Sequence, residues 1–227
     1  MKAKLLLFVL ACPLGLFAQT LNYNIKGKLI DTVNARYAYL MTLSYRVALT
    51  SDKLFQMTPV TDGKFEFKGS FELDGRPYQQ ASIFFSPRSN ITKEEIQSKF
   101  RNFIWPSAYD KVLKDIKLEN MTLEFPSLSQ ARYARVTDGG SITALEDAFT
   151  LSAREDHVNL LKLIRDNPDS QASFDAIESA ANSFSYKDDI KTFWGTPQTL
   201  FSLLSERLRN SQAGKMLKSK IDKDSKL

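Results

Sequence analysis

From Leu21 to about Thr137 apolar residues recur at every second position, and beyond Gly139 they recur at every third or fourth. In LNYNIKGKL, Leu21, Tyr23 and Ile25 share one face; in RYAYLMTLSY, Tyr37, Tyr39, Met41, Leu43 and Tyr45 do the same. Such alternation predicts strands with one buried and one wet face. The strongest local signal is PVTDGKFEFKGSF. Asp62-Gly63 predicts a two-residue hairpin turn, with Phe65, Phe67 and Phe71 inward and Lys64, Glu66 and Lys68 outward. Further strands are predicted at QASIFF, DIKLE, MTLEF and ARYARV, and this many short strands predict a sandwich.

One helix interrupts the strands. In NITKEEIQSKFRNFI, Thr92 and Glu95 form a capping box, Ile91 and Ile96 a hydrophobic staple, and Ile96, Phe100, Phe103 and Ile104 a helical stripe that Trp105-Pro106 ends. After TDGGS, Leu145, Ala148, Phe149, Leu160, Leu161 and Ile164 mark one or two helices ending before Asn167-Pro168. Ser170 caps a stretch with Phe174, Ile177 and Ala181. Thr196-Pro197 opens a helix with Leu200, Phe201, Leu204 and Leu208, and Ser211 starts a last one with Met216, Leu217 and Ile221 inward. The predicted class is α+β: an N-terminal antiparallel β-sandwich over 19–138, with a helical insertion near 92–105, followed by an all-helical segment over 139–227.

Residues 1–18 read as a signal peptide. Lys2 and Lys4 form the charged start, Leu5 to Leu10 the apolar core, and Ala18 the small residue before cleavage. The uncharged run from Leu5 to Ala18 contains Pro13 and Gly15 and is shorter than the roughly 18 residues of a spanning helix, so no transmembrane helix is expected. Cys12, the only cysteine, leaves two readings open. Cleavage after Ala18 discards it, whereas VLAC resembles a lipobox in which Cys12 becomes a lipidated N-terminus; the short apolar run before it favours discard. After Ala18 no cysteine remains, which excludes disulfides and thiolate chemistry from the mature chain. The net charge of +5 is dispersed among acidic residues, so a nucleic-acid partner is not expected. No cofactor is expected either.

The order YNIKGKL, RYAYLM, VTDGKFEFKGSF, IKLENMTLEF and ARVTDGGS resembles a domain of unknown function. That domain lies N-terminal to the thioredoxin-like domain of exported thiol:disulfide interchange proteins of Gram-negative bacteria, related to ResA and TlpA. LIRDNPDSQASFDAI and LFSLLSERLRNSQAGKMLKSKI are similar to the segments that lead into the thioredoxin-like domain there. The resemblance implies an envelope protein working near thiol-redox partners. No residue of this chain matches the family's Cys-x-x-Cys motif, so redox activity does not carry over.

Other constellations are weak as chemistry. His157 is the only histidine, and consecutive Glu155, Asp156 and His157 point in different directions on a helix, so a solvated face is the simpler reading. TDGG at 137–140 lacks the fuller glycine pattern or following lysine of a phosphate loop, and GTPQT at 195–199 is a helix cap. Tyr37, Tyr39 and Tyr45 with Phe65, Phe67 and Phe71 could line a groove, but aromatics at period two more often form core. Asp31-Thr32-Val33 resembles the Asp-Thr/Ser-aliphatic acceptor of envelope O-glycosylation, with Thr32 as acceptor. NIT at 90 and NMT at 120 fit the N-glycosylation pattern. The expectation is therefore a non-catalytic periplasmic or envelope binding module with catalytic, cofactor and metal residues all none. Its expected partner is an envelope protein such as a thioredoxin-like one. The alternative is a truncated thiol:disulfide oxidoreductase lacking its catalytic domain, and the alternative location is lipid-anchored through Cys12.

Overall fold

The computed structural model describes residues 20–42, 54–73, 76–101, 112–154, 157–182 and 195–224. Alternation became two four-stranded sheets, and with the helices the molecule is mixed α+β. The strands are β1 (Thr20–Leu29), β2 (Tyr37–Met41), β3 (Phe55–Pro59), β4 (Lys64–Glu72), β5 (Gln80–Ser86), β6 (Lys114–Lys117), β7 (Met121–Phe125) and β8 (Arg135–Gly139). The first sheet runs β4-β1-β7-β8 and the second β3-β2-β5-β6. One core joins them: Tyr23, Ile25, Phe65, Phe67, Leu123 and Phe125 from the first sheet pack with Ala38, Leu40, Ile83, Phe85 and Ile116 from the second. At its centre Phe85 meets Phe125 edge-on at 5.0 Å and Phe65 at 5.4 Å. Each such aromatic pair adds about 1 kcal/mol beyond its burial.

Three expectations change. First, the pairing is not purely antiparallel, because β1 runs parallel to β7 with Ile25 opposite Met121. The chain returns beside β1 twice, first as antiparallel β4 and then, after a second passage through the other sheet, as β7 running in the same direction as β1. Second, the Asp62-Gly63 turn forms, with φ of 51° and 71°, but it does not make a hairpin. Pairing stops after the Thr61–Lys64 bridge. Val60 then donates to Arg36 O at 2.9 Å in the second sheet, while β4 pairs with β1 in the first, so the turn is a corner between sheets. Third, the β2 aromatics do not face the main core. Ala38 and Leu40 do, whereas Tyr39 and Met41 lie on the other face with Phe84, Ile91 and Ile96. Helix α1 (Lys93–Arg101) covers that face, so β2 and β5 are buried on both sides and their apolar runs are continuous. Tyr39 stacks on Phe84 at 4.8 Å and its hydroxyl donates to Arg88 O at 2.8 Å. Leu43, Tyr45, Phe103 and Ile104 lie outside the described residues.

The cap of α1 forms as expected in one direction. Thr92 Oγ1 accepts from Glu95 N at 3.2 Å, but the Glu95 carboxylate receives both Arg88 NH1 and NH2, at 3.2 and 2.9 Å. ARYARV is only half strand: Leu128–Tyr133 forms a 3-10 helix that tucks Ala131 into the core, and β8 begins at Arg135.

The remaining helices are α2 (Ser141–Arg154), α3 (His157–Asp166), α4 (Gln171–Asn182), α5 (Pro197–Ser202), α6 (Glu206–Asn210) and α7 (Gln212–Asp224). They build a second core from Phe149, Leu160, Ile164, Phe174, Ile177, Leu200, Leu204, Leu208, Leu217 and Ile221. The helix expected to run on through Leu208 breaks at Ser205. Its amide donates to Pro168 O at 2.8 Å and its hydroxyl caps α6 by accepting from Leu208 N at 3.3 Å. Met216, expected inward, is 67% exposed. Gly214 takes the inward position instead, so close to α6 that a Cβ there would lie 2.1 Å from Leu208 O. That approach sets the rotation of α7. Among the described residues no helix is long and apolar enough to cross a membrane.

Candidate functional site

Strand β6 is the edge of the second sheet, and an uncovered edge invites pairing with another chain. Here α2 lies across it, held by charge. Lys114 Nζ reaches both oxygens of Asp147 at 2.6 Å, and Lys117 Nζ reaches Glu146 Oε1 at 2.9 Å. Both lysine side chains are almost fully buried, whereas Asp147 and Glu146 keep about two-fifths of their side-chain surface in water. Burial pushes the Asp147 carboxyl above its ordinary range, against the pull of the Lys114 ammonium and, more weakly, of Arg132.

The start of α2 is held by a third carboxylate. Glu119 accepts from Thr143 N and Thr143 Oγ1 at 2.8 Å each and from Ile142 N at 3.4 Å, while Thr143 Oγ1 also accepts from Lys117 N at 3.0 Å. The free amides that a phosphate would seek at this helix N-terminus are therefore occupied by the protein's own anion. Gly139 and Gly140, at φ of 63° and 57°, make the connection from β8 to α2, as expected of TDGG.

A fourth tie reaches α4. Lys117 Nζ sits 4.1 Å above the Tyr78 ring, and the Tyr78 hydroxyl donates to Asp175 Oδ2. Gln171 Nε2 donates to the other Asp175 oxygen at 2.8 Å. Burial, with the nearby Glu178 charge, pushes Asp175 from an ordinary 3.8 up to about 6.

Because the folded carboxyl binds its proton more tightly than the unfolded one, this group makes stability fall as pH rises from about 4 to about 6. The full shift corresponds to a ceiling of about 3 kcal/mol, and partial exposure brings the expected value to about 1–2 kcal/mol. Asp175→Asn keeps a group that can bond Tyr78 and Gln171. Urea unfolding of the variant should lack this slope, and above pH 6 the variant should be the more stable protein. Parallel pH profiles for parent and variant would refute the assignment.

Between β6, β8, the 3-10 helix and α2 lies an open cleft of about 550 Å³. Lys114, Asp115, Glu146 and Asp147 line it, with Gln80, Arg132, Tyr133 and Arg135 completing the wall and rim. Tyr133 is 59% exposed there. Asp115 is engaged by Ser82 Oγ at 2.6 Å. The buried cations are neutralised within the fold, so the cleft offers a polar wall and an aromatic-arginine rim.

The residues singled out from sequence lie elsewhere. Cys12, Glu155 and Asp156 are outside the described residues. His157 opens α3. Thr32 lies in the exposed turn after β1. Thr92 of NIT serves as the α1 cap, and Met121 of NMT is buried in β7. Thr196 caps α5 through Thr199 N at 3.2 Å. Phe65 and Phe67 are core, as expected. Among the described residues no group of three or more His, Cys, Asp or Glu is placed to hold a metal ion. Sequence reasoning missed Lys114, Lys117, Glu146, Asp147 and Asp175. Their only signal is the crowding of lysines around IKL and of acids in LED, which becomes pairing only once α2 crosses β6.

No family model, no curated protein and no solved structure matches this chain.

Proposed function

We propose that this chain is a non-catalytic, exported module of the cell envelope, a β-sandwich with a helical segment, that receives a protein partner at the cleft between β6, β8 and α2. The carrying observation is that the buried Lys114 ammonium of the cleft wall is already matched by Asp147, and the neighbouring Lys117 by Glu146, so the exposed Tyr133 and Arg135 at the rim are the side chains that meet a partner. Aromatic and arginine side chains are the residues that most often anchor protein interfaces. The shared core of the two sheets supports the sandwich. The resemblance to the N-terminal region of thiol:disulfide interchange proteins supports a thioredoxin-like partner.

A photo-crosslinking residue at position 133 tests this in intact cells, with one at Lys68, on the outer face of β4, as control. The expected result is an adduct from position 133 alone, containing a protein with a Cys-x-x-Cys motif. Equal labelling from both positions, or none, would overturn the proposal. Mass spectrometry of the mature N-terminus reads the location: a start at Gln19 supports a soluble periplasmic protein, and a diacylated Cys12 a lipid-anchored one.

A further inference from the structure

The turn between β1 and β2 carries two of the large exposed hydrophobic residues of the described chain, Ile30 at 63% and Val33 at 65% exposure. They flank the exposed Asp31 and Thr32 on the same turn. The backbone here is held in place: Val33 N donates to Asp31 Oδ1 at 3.0 Å, Ala35 N donates to Thr32 O at 3.1 Å, and Asn34 takes a φ of 63°. Ile30 N and Asp31 N are anchored on Phe125 O and Pro126 O at 2.9 and 3.1 Å. The Thr32 methyl carbon lies toward the Asp62-Gly63 corner. No hydrogen bond engages the Thr32 hydroxyl among the described residues.

This arrangement is specific to one place in the chain. The other aspartates followed by serine are Asp169-Ser170 and Asp224-Ser225, followed by Gln171 and Lys226 and not by an aliphatic residue. Ser170 is moreover engaged as the cap of α4, accepting from Ala172 N at 3.2 Å. Thr92 is likewise occupied as a cap, and Thr122 lies inside β7. Thr32 alone joins an exposed hydroxyl, a carboxylate one residue before it and an aliphatic residue after it.

We infer that Thr32 is a glycosylation site, presented on a pre-formed turn whose Asp31, Ile30 and Val33 are the features read by a glycosyltransferase. The co-substrate is a sugar carried on a diphosphate. The Thr32 oxygen attacks the anomeric carbon, the bond from that carbon to the phosphate oxygen breaks, and the diphosphate leaves with the electron pair. The hydroxyl proton passes to a base of the transferase. A turn already held by hydrogen bonds is presented without further ordering, which lowers the entropic cost of recognition.

The inference rests on the exported location proposed above, and one experiment separates the two. The full chain is purified from the envelope of its native host, and both its N-terminus and the peptide spanning Leu29 to Arg36 are mapped by mass spectrometry. The expected result is a processed N-terminus with whole sugar residues on Thr32. T32A should lose them with processing and thermal melting unchanged, and T32S should keep them. D31N, which retains an acceptor for Val33 N, should lose them, and sugar kept at the parent level would overturn the role given to Asp31. A processed chain with Thr32 bare, or sugar retained in T32A, overturns this inference alone. An unprocessed chain with Thr32 bare overturns the export reading as well.

Discussion

Gly27→Val is expected to destabilise the protein by about 3 kcal/mol or more, read as a loss of thermal and urea stability. Gly27 sits directly opposite Phe65 across β1 and β4, and the ring lies over it. A Cβ at Gly27 would fall 2.0 Å from Phe65 Cζ and 2.1 Å from Cε1. The ring has nowhere to go, since Phe67, Phe85 and Phe125 have their centroids 5.5, 5.4 and 5.6 Å away. Strain of this kind can be relieved by shortening the other partner. In a Gly27→Ala background, Phe65→Leu should cost less than it does alone, with a coupling of about 1–3 kcal/mol in a double-mutant cycle. Strict additivity of the two changes would mean that the ring is free to move aside and that the packing described here is wrong.

The second large effect concerns the tie between β6 and α2, and its asymmetry is the test. Asp147→Ala should cost about 3 kcal/mol, because it strands the Lys114 ammonium where water cannot reach it. Lys114→Met should cost only about 1 kcal/mol, because it replaces the stem with an apolar one and leaves a carboxylate that is still partly hydrated. Urea unfolding at neutral pH measures both. Equal costs, or a larger one for Lys114→Met, would show that Lys114 finds another anion or water once Asp147 is gone.

How much of this was legible in the sequence differs between levels. The period-two face of Phe65, Phe67 and Phe71 was readable because a side chain's face is a local property, and so were the caps at Thr92, Ser170 and Thr196, whose partners lie within three residues. The sheet to which a strand belongs is not local. Asp62-Gly63 has the backbone of a hairpin turn, yet β3 and β4 part: β3 pairs with β2 in the second sheet and β4 with β1 in the first. The orientation of Tyr39 was unreadable for the same reason: an alternating strand does not say which face a later helix will cover. The lysine-carboxylate ties of the cleft were less visible still. A lysine beside a strand reads as solvated until a carboxylate from another element is brought to it, and Asp175 likewise reads as solvated until packing buries it; its raised pKa comes from that burial, with the Glu178 charge adding to it. Gly27 in a strand reads as a weak point until the ring opposite is known.

The parallel pairing of β1 with β7 also sets the order in which the molecule can assemble. β1 lies inside its sheet, between β4 and β7, and its pairing with β7 joins Ile25 to Met121, so one edge of the first strand stays open until about half of the chain exists. Loop closure over such a span is slow, and chains dominated by distant pairings fold in roughly milliseconds to seconds and not microseconds. The strand made first therefore cannot complete its sheet early, and its second edge waits for β7.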